Sequence, residues 1–500
     1  MNKNINKKLA KRKEKICKRL QKRNWTQQPR PMLKASNIRY EIDGRHQGIT
    51  SGGIGLIHLL AKNTGLLSEI DNNLNLLKRH LPYHESDHIA NMVYNLFAGG
   101  TCLEDIELLR NDTAWLDALG AEIIPDPTTA GDFLRRFEEQ DIVDFMSIKN
   151  TIRRKIWANQ PAAFRKQAII NIDGTICETY GQCKQGMDIS YNGKWGYAPL
   201  VVSLANTREV LYVVNRSGNA PSHLGSAKWV DDSLDLVSNC FEKIYVRGDT
   251  DFSLTSHFDK WDKRCTFIFG MDARKNLIKL AGQIPESEWQ AFAKIPRKIK
   301  TKPRKRPENV KAQVVKKRKF KNLKTEFEHI AQFDYRPGKC SQSYRMIVLR
   351  KTIKILKGEC QLFDDIRYFF YITNDGKKPA EQLVQFYRNR ADHENDIEQL
   401  KNGVSAMKNP SDSMISNWAY MAIASLAWDL KAWYGLMLPY RVLGKQIVRM
   451  EFKKFVHTFI RIPCLIIKAG RSIKYRFIGY NERLKHVFNL FARMKNFAFP

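Results

Sequence analysis

The sequence predicts an α/β protein whose core is interrupted by a β-rich segment and preceded by a helical domain. Three observations predict this architecture. Apolar residues recur with helical spacing from about residue 48 to 160, short apolar strand patterns begin at Ala168, and a long charged helical pattern begins at Pro379. Because the chain has 500 residues, 43% of them hydrophobic, two to four packed units are expected.

The charge of the chain indicates a polyanionic partner. There are 84 Lys and Arg residues against 51 Asp and Glu, which gives a net charge of +33. Nucleic acid is the leading candidate, because cationic side chains that neutralise phosphates release condensed counterions. An anionic membrane surface or the ribosome would use the same charge, so composition selects only a class of partner.

No segment predicts insertion into a membrane or secretion. The most apolar stretch, residues 419–438, contains Asp429 and Lys431 and is therefore interpreted as a buried helix. The basic start of the chain lacks the apolar core of a signal peptide, and the nine cysteines form no C-x-x-C pair. We therefore expect reduced thiols, no membrane partner and a cytoplasmic, DNA-accessible location.

Residues 1–45 are interpreted as a basic arm, and residues 46–165 as a helical DNA-binding domain. The short segment that includes Arg135 and Arg136 combines apolar and basic residues, so these two arginines are candidates for contacts with DNA. A domain used for dimerisation or packing is the alternative interpretation. Two capping patterns predict helix starts inside this domain: Thr101-x-x-Glu104 and Thr129-x-x-Asp132.

The strand patterns that begin at Ala168 form the predicted core. Three of them precede a helical pattern and two further strands, namely 168–172, 197–204, 209–214, the helix 229–241, 243–246 and 265–269. Three strands in a meander followed by alternating helix and strand is the order of a ribonuclease-H-like fold. We assign its first part to residues 166–275 and its second part to residues 376–440.

The remaining regions are an insertion and a tail. Residues 276–375 are interpreted as an inserted β-rich subdomain with a basic loop that could follow a DNA backbone or be merely solvated. Trp289 within it could stack on an unpaired base, although core packing is the commoner role of tryptophan. Residues 441–500 are basic and show no motif that we can interpret.

Two aspartates follow apolar strands of the predicted core. Asp173 ends the first strand and Asp249 ends a later one, and an acidic group at the end of a buried strand must be paired, hydrogen-bonded or bound to metal. Aspartates that cap the next element are an equally ordinary alternative. The two residues are therefore candidates for catalysis and metal binding.

A third group of candidates lies on the helix predicted from Pro379. Tyr387, Arg390, Glu394 and Lys401 are separated by offsets of three, seven and fourteen residues, which places them within an arc of about 60° on one helix face. One face thus presents a phenol, a guanidinium, a carboxylate and an ammonium group. An ordinary solvated helix with mixed charges would produce the same pattern.

This spacing resembles the Y-x2-R-x3-E-x6-K signature of bacterial insertion-sequence transposases with a DDE active site. Further segments resemble the IS-thirteen-eighty-type branch of that group: 83–107, 173–175, 191–200 and 247–249. The resemblance extends over about residues 40–440. Asp251 departs from the pattern, because a small residue is more typical there, so the metal-binding aspartate could be Asp249 or Asp251.

The resemblance implies a DNA transposase. Its catalytic and metal-binding residues would be Asp173, Asp249 and Glu394, holding two Mg²⁺ ions or Mn²⁺ in their place. Tyr387, Arg390 and Lys401 would bind phosphates at the DNA ends. The implied partners are double-stranded DNA, as the inverted-repeat ends of the element and as target, and further copies of the chain in a dimer or higher multimer at the bacterial nucleoid.

Two other functions remain open. A non-catalytic DNA-binding protein could retain the fold and the charge. The pattern His84-Glu85-x-x-His88 formally matches the H-E-x-x-H motif of zinc hydrolases. The pattern is short and no further zinc ligand stands out downstream, so a metalloprotease is the weaker alternative.

Overall fold

The computed structural model describes residues 3–22, 33, 35–292, 308–470 and 472–495. Parts of the predicted basic arm and of the predicted basic loop therefore lie outside the described residues, at 23–32 and 293–307. Among the residues described, no helix combines the length and the apolar character that crossing a membrane requires.

The first part of the chain is helical. Its elements are α1 (Lys3–Gln21), β1 (Gln47–Ile49), α2 (Ile54–Asn63), α3 (Leu66–Asn73), α4 (Glu85–Ala98), α5 (Ile106–Arg110), α6 (Thr113–Leu119), α7 (Pro127–Leu134) and α8 (Glu139–Ala158). The periodic residues of α4, among them Ile89, Val93 and Phe97, are buried as predicted. Gly99 ends α4 with a φ of 103°, a left-handed conformation that glycine adopts without strain.

Helices α5 and α7 do not begin where the capping patterns predicted. The Asp105 carboxylate accepts a hydrogen bond from the Thr101 backbone at 2.6 Å, and α5 begins only at Ile106. Asp126 accepts one from the Thr129 backbone at 2.8 Å, so α7 begins at Pro127. Both predictions were wrong because a nearby aspartate competes for the same backbone donors, and Pro is favoured in a first helical turn.

The predicted core strands 168–172, 209–214, 243–246 and 265–269 are present, whereas the predicted strand 197–204 is divided between two strands that belong to different sheets. The elements of this region are β2 (Ala168–Gly174), β3 (Cys177–Glu178), β4 (Asp188–Ile189), β5 (Trp195–Tyr197), β6 (Leu200–Leu204), β7 (Glu209–Val214), α9 (Ser226–Ser238), β8 (Ile244–Gly248), α10 (Phe258–Asp262), β9 (Thr266–Met271) and α11 (Lys275–Gly282). Strand β2 pairs with β6 in antiparallel and with β8 in parallel orientation. Strands β3, β5 and β4 form a small separate sheet.

The β-rich segment extends the same sheet. It contains β10 (Gln290–Ala291), α12 (Val310–Lys317), β11 (Lys321–Tyr335), β12 (Tyr344–Lys357) and β13 (Cys360–Thr373). Because β13 pairs with β9, the strands join one mixed sheet in the order β10-β11-β12-β13-β9-β8-β2-β6-β7. Trp289 is 9% exposed and lies 4.2 Å from the Arg350 guanidinium, so it packs into the fold instead of presenting a free stacking surface.

The last part of the chain returns to helices. It contains α13 (Ala380–Arg388), α14 (Ala391–Glu398), a π-helical turn (Gln399–Gly403), α15 (Met414–Leu436), α16 (Arg441–Val448), α17 (Phe452–Phe455), a second π-helical turn (Val456–Ile460), β14 (Cys464–Ala469), β15 (Ser472–Phe477) and α18 (Leu484–Lys495). Helix α15 is buried over most of its length, which confirms the interpretation of residues 419–438 as a buried helix.

Four buried charges connect α15 to the rest of the fold. The Asp429 carboxylate lies 3.1 Å from Lys149 Nζ and 2.8 Å from Arg153 Nη2, and Arg153 Nε lies 3.0 Å from Glu209 Oε1. None of these side chains is more than 1% exposed. Two acids and two bases thus neutralise one another where α8, β7 and α15 meet.

The C-terminal region packs against the helical domain. Strand β14 pairs with β1 on one side and with β15 on the other. Two backbone segments approach closely here, since a Cβ atom on Gly53 would lie 2.0 Å from the Phe459 carbonyl oxygen. Residues 441–495, for which the sequence offered no motif, therefore complete the domain that starts at β1.

Candidate active site

The register of two neighbouring parallel strands brings Asp173 and Asp249 together. Asn171 of β2 pairs with Arg247 of β8, and each aspartate follows two residues later, Asp173 near the end of β2 and Asp249 directly after β8. Because parallel strands end at the same edge of a sheet, both carboxylates emerge at one place. Both line the same cleft.

Burial and mutual repulsion disfavour negative charge on this pair. Burial, opposed by Arg390 and assisted by the nearby Asp249 carboxylate, raises the pKa of Asp173 to about 6. Burial likewise raises the pKa of Asp249. Arg390 Nη1 donates a hydrogen bond to Asp173 Oδ2 at 2.6 Å. The pair would therefore gain from an additional cation.

Asp249 is better placed than Asp251 to act with Asp173. Asp251 is exposed, although it also lines the cleft. Its backbone N–H donates to Asp249 Oδ1 at 3.1 Å, which leaves the other Asp249 oxygen for a second partner. These contacts favour Asp249 where the sequence left both aspartates open.

Arg247, at the end of β8, connects helix α13 to strand β2. Its buried guanidinium donates to Asn171 Oδ1 at 2.7 Å and to the Phe386 carbonyl oxygen at 2.6 Å. Tyr387, the next residue of α13, packs tightly over β9, since a Cβ atom on Gly270 would lie 2.9 Å from its hydroxyl. The Tyr387 and Arg390 side chains are thereby held beside the two aspartates.

The helix predicted from Pro379 to Val404 is divided. Helix α13 ends at Arg388, α14 begins at Ala391, and a π-helical turn contains Lys401. Lys401 Nζ still reaches the cleft and donates to the Ile176 carbonyl oxygen at 2.9 Å. The predicted 60° arc assumed one regular helix. The break after Arg388 and the wider π-helical turn change the angles between these side chains.

Glu394 is exposed on α14, one helical turn after Arg390. The adjacent His393 is buried and its Nδ1 lies 2.8 Å from Ser203 Oγ, which fixes the rotation of the helix. In the described residues, the carboxylate oxygens of Asp173, Asp249 and Glu394 do not all lie within 4.8 Å of one another. The structure thus brings two of the three predicted carboxylates together.

The cleft is large and mostly lined by polar groups. Its volume is about 1460 Å³. Besides the aspartates, it is lined by basic side chains from several segments, namely Lys184, Lys194, Arg216, Lys401 and Lys408. Asp173, Asp249 and Asp251 define its acidic end, and Glu178, the other carboxylate of the lining, pairs with Lys194 at 2.8 Å. A cleft that combines carboxylates with basic side chains that are unpaired in the described structure suits a phosphate-bearing polymer that reacts at the carboxylates.

A family model described as transposase DDE domain group 1 matches residues 30–497 of the chain. The chain belongs to this transposase family. A search of curated proteins found no match. Among solved structures, the chain is similar to piggyBac transposase in a synaptic complex with hairpin DNA, with 11% identity, a TM-score of 0.34, and coverage of 82% of this chain and 86% of that one.

The residues of this transposase chain fit a divalent cation at the cleft. Asp173 and Asp249 present oxygen atoms, the ligand type that Mg²⁺ prefers, and burial raises the pKa of each, so a bound cation would favour their charged forms. Arg390 is the cation nearest to Asp173 among the partners described for it. Asp173 and Asp249 would hold the metal.

The sequence analysis assigned no role to several aromatic side chains at the rim of the cleft. Tyr180 and Tyr191 line it and are 89% and 93% exposed, and Trp195 beside them is 54% exposed. They lie in a polar segment that also carries Lys184 and Lys194. Alternation of aromatic and basic residues was the signal that could have identified this surface.

The DNA-binding candidates of the helical domain lie elsewhere. Arg135 and Arg136 are exposed just after α7 and do not line the cleft. Arg135 Nη1 pairs with Asp132 Oδ1 at 2.8 Å. Both guanidinium groups are accessible to a partner outside the cleft.

The zinc-hydrolase pattern does not form its metal site. The His88 ring is buried and stacks on Phe133 with centroids 4.3 Å apart, and burial lowers its pKa to about 4. In the part of the chain that is described, the group whose ligand atoms lie within 4.8 Å is His80, His84 and Glu85 instead. The second histidine of an H-E-x-x-H site is therefore not available as a ligand.

Proposed function

We propose that the chain is a metal-dependent DNA transposase that cleaves the ends of an insertion sequence and joins them to target DNA. The observation that carries this proposal is the register of β2 and β8, which sets Asp173 beside Asp249 in a cleft with basic walls. Membership of the transposase DDE domain family supports the same activity.

We further propose that the catalytic core is ribonuclease-H-like. Support comes from the part of the sheet ordered β7-β6-β2-β8-β9, in which the first three strands form an antiparallel meander. The next two strands are parallel to β2 and are each preceded by a helix. In such a core the residues from β10 to β13 would be an insertion between the second aspartate and Glu394.

In this proposal Asp173, Asp249 and Glu394 hold the divalent cations. Two Mg²⁺ ions, or Mn²⁺ in their place, would activate water or a 3′ hydroxyl and stabilise charge on the phosphate. The phosphates at the DNA end would be bound by Tyr387, Arg390 and Lys401. Of these, Lys401 lines the cleft and Arg390 reaches Asp173 at its acidic end.

The position of Glu394 between two groups directed at the cleft supports its assignment. Arg390 precedes it by one helical turn and contacts Asp173, and Lys401 follows it by about two turns and contacts Ile176. Side chains separated by one or two turns share a face of a helix. Glu394 is exposed and does not line the cleft, so its approach to the aspartates is part of this proposal.

Replacing Glu394 by glutamine should abolish DNA cleavage while leaving DNA binding intact. We expect a loss of at least about 1000-fold in the cleavage rate, because catalytic groups that act as one unit are not individually dispensable. Nicking of a labelled duplex that carries the inverted repeat flanking the coding sequence, in Mg²⁺, measures this rate.

Glu398→Gln is the matched control for Glu394→Gln. Glu398 is exposed on the same helix, one turn farther on, and its side chain contacts Asn402. This variant should cleave DNA at the wild-type rate. Equal activity of Glu394→Gln and wild type would remove Glu394 from the carboxylate set, and a wild-type chain that binds the ends but never cuts would favour the non-catalytic alternative.

We propose that the helical domain recognises the ends of the element and that the chain acts as a dimer or higher multimer, since two ends must be held together. Double-stranded DNA at the bacterial nucleoid is then the partner. The net charge of +33 supports this proposal, and the exposed Arg135 and Arg136 supply candidate contacts.

Arg135→Ala together with Arg136→Ala should reduce discrimination between element ends and random DNA. Removing a side chain that reads a base costs about 1–3 kcal/mol, or roughly tenfold to a hundredfold in the specificity ratio. Competition binding at several salt concentrations measures that ratio. Unchanged discrimination, with affinity lowered equally for both DNAs, would show that the two arginines contact only the backbone.

A further inference from the structure

Arg216 is a buried cation in the wall of the cleft, and one nitrogen of its guanidinium makes no hydrogen bond to the described residues. The residue follows β7 and is 9% exposed. Its Nε donates to the Ala198 carbonyl oxygen at 2.9 Å. Its Nη1 donates to the carbonyl oxygens of Pro221, Ser222 and Leu224 at 3.4, 2.8 and 2.9 Å. Its Nη2 is buried and has no hydrogen-bond partner in the described structure.

The unpaired Nη2 lies near the backbone at the end of β2, the strand that carries Asp173. A Cβ atom built on Gly174, the residue after Asp173, would lie 3.7 Å from it. Arg216 and Gly174 both line the cleft that contains Asp249. The free N–H groups thus lie next to the backbone of Gly174, in the wall of the same cleft that Asp173 and Asp249 line.

The charge of Arg216 has no counterion. Burial lowers its pKa to about 10, and no neighbouring acid counteracts this shift. The side chain still carries its full charge at neutral pH, because about 10 lies well above 7. A buried cation without a partner costs free energy, and a buried donor without an acceptor adds to that cost. A bound anion would remove both penalties at once.

The contacts to four carbonyl oxygens give the guanidinium a fixed orientation. Dipoles from the Ala198 and Ser222–Leu224 backbone hold Nε and Nη1 and leave Nη2 directed away from them. The loop that carries Arg216 is also tightly packed, since a Cβ atom on Gly218 would lie 2.2 Å from the Asp188 carbonyl oxygen. A donor fixed in this way loses little freedom on binding a ligand.

We propose that Arg216 Nη2 binds a backbone phosphate of the DNA next to the position that is cut, and so positions the scissile bond at Asp173 and Asp249. This inference rests on the proposed function, because it takes the DNA end as the occupant of the cleft. Guanidinium and phosphate form strong charge-assisted hydrogen bonds, which suits a group that must hold one phosphate in register.

The test is a chemical double-mutant cycle in the full-length chain. Duplexes with the flanking inverted repeat carry a single neutral methylphosphonate at each successive position of the cut strand. Wild type, Arg216→Gln and Arg216→Lys are compared with Arg264→Gln, a control that removes the same charge at a partly exposed site, where Arg264 pairs with Asp231 and Asp235. Thermal unfolding verifies that each variant is folded.

At one position, we expect the neutral linkage to slow wild type and Arg264→Gln about 100-fold but to slow Arg216→Gln no more than a few-fold. Arg216→Gln should be about 100-fold slower than wild type on normal DNA, and Arg216→Lys should recover part of that loss. A merely structural arginine would change the rate without removing the effect of any single phosphate.

The same duplexes are also scored by equilibrium binding in Ca²⁺, so that the contact is tested whether or not the chain cuts DNA. Methylphosphonate effects that are equal in wild type and Arg216→Gln, in rate and in affinity, would overturn the proposal for Arg216. A second outcome separates the two proposals. If the wild type does not cut DNA, but one methylphosphonate weakens its binding and does not weaken the binding of Arg216→Gln, the proposed function is contradicted and the Arg216 contact is supported.

Discussion

Asp249→Asn should reduce DNA cleavage by at least about 1000-fold, whereas Asp251→Asn should remain within about tenfold of wild type. Asparagine retains the size and the acceptor oxygen of aspartate but cannot supply the negative charge that a divalent cation requires. Asp249 shares the acidic end of the cleft with Asp173, while Asp251 is exposed and contributes its backbone N–H to Asp249. Cleavage of the inverted-repeat duplex in Mg²⁺ and in Mn²⁺ measures both rates.

DNA binding in Ca²⁺ provides the control for Asp249→Asn. Its affinity for the duplex should equal or exceed that of wild type, because the change removes a negative charge from a cleft that binds phosphate. A variant that neither binds nor cuts would indicate misfolding. If Asp251→Asn is the inactive variant and Asp249→Asn cuts normally, Asp251 and not Asp249 is the carboxylate that acts with Asp173.

Asp429→Ala should lower the free energy of unfolding by about 3–5 kcal/mol, the largest effect on stability that we expect from a single change outside the cleft. The alanine leaves Lys149 Nζ and Arg153 Nη2 buried without the carboxylate that lies 3.1 and 2.8 Å from them. It also removes the acceptor for the Val210 backbone N–H of β7, which lies 2.9 Å from Asp429 Oδ1. Urea and thermal unfolding followed by circular dichroism measure the loss.

An exposed ion pair gives the matched comparison for Asp429→Ala. Lys228 Nζ lies 2.7 Å from Asp232 Oδ2, with side chains 59% and 34% exposed. Asp232→Ala removes a carboxylate from one cation just as Asp429→Ala does, but water can solvate the lysine that remains, so we expect a change within about 1 kcal/mol. Similar losses in the two variants would show that the buried cluster relaxes or admits water.

The strands of the core were predictable because their signal is local. Apolar residues at 168–172 and 209–214 are bounded by turn residues, and β2 and β7 cover these ranges. Strand β11 was missed because its first half is exposed and rich in lysine, so no apolar alternation distinguishes it from a solvated loop. It forms because β12 pairs with it along its length, an interaction that no local pattern records.

The candidate site was predictable to the extent that it follows from strand ends. Asp173 and Asp249 were chosen because acidic residues rarely end apolar strands without a partner, and the structure brings them to one cleft. Glu394, chosen from its spacing with Tyr387, Arg390 and Lys401, stays a prediction. Arg216 was not identified. Its sequence neighbours do not distinguish it from the many other basic residues, and its role depends on which carbonyl oxygens occupy part of its guanidinium.

By itself, the sequence determined the helix and strand segments with strong periodicity, the polyanionic class of partner and the family-like spacing of the candidate residues. Those properties depend on residues close together in the chain or on composition. Only the tertiary structure decided that β13 continues the core sheet, that β14 returns to β1, and that Asp429 meets Lys149 and Arg153. Such contacts join segments far apart in sequence, and their free energy comes from pairing and burial that exist only after the chain has folded.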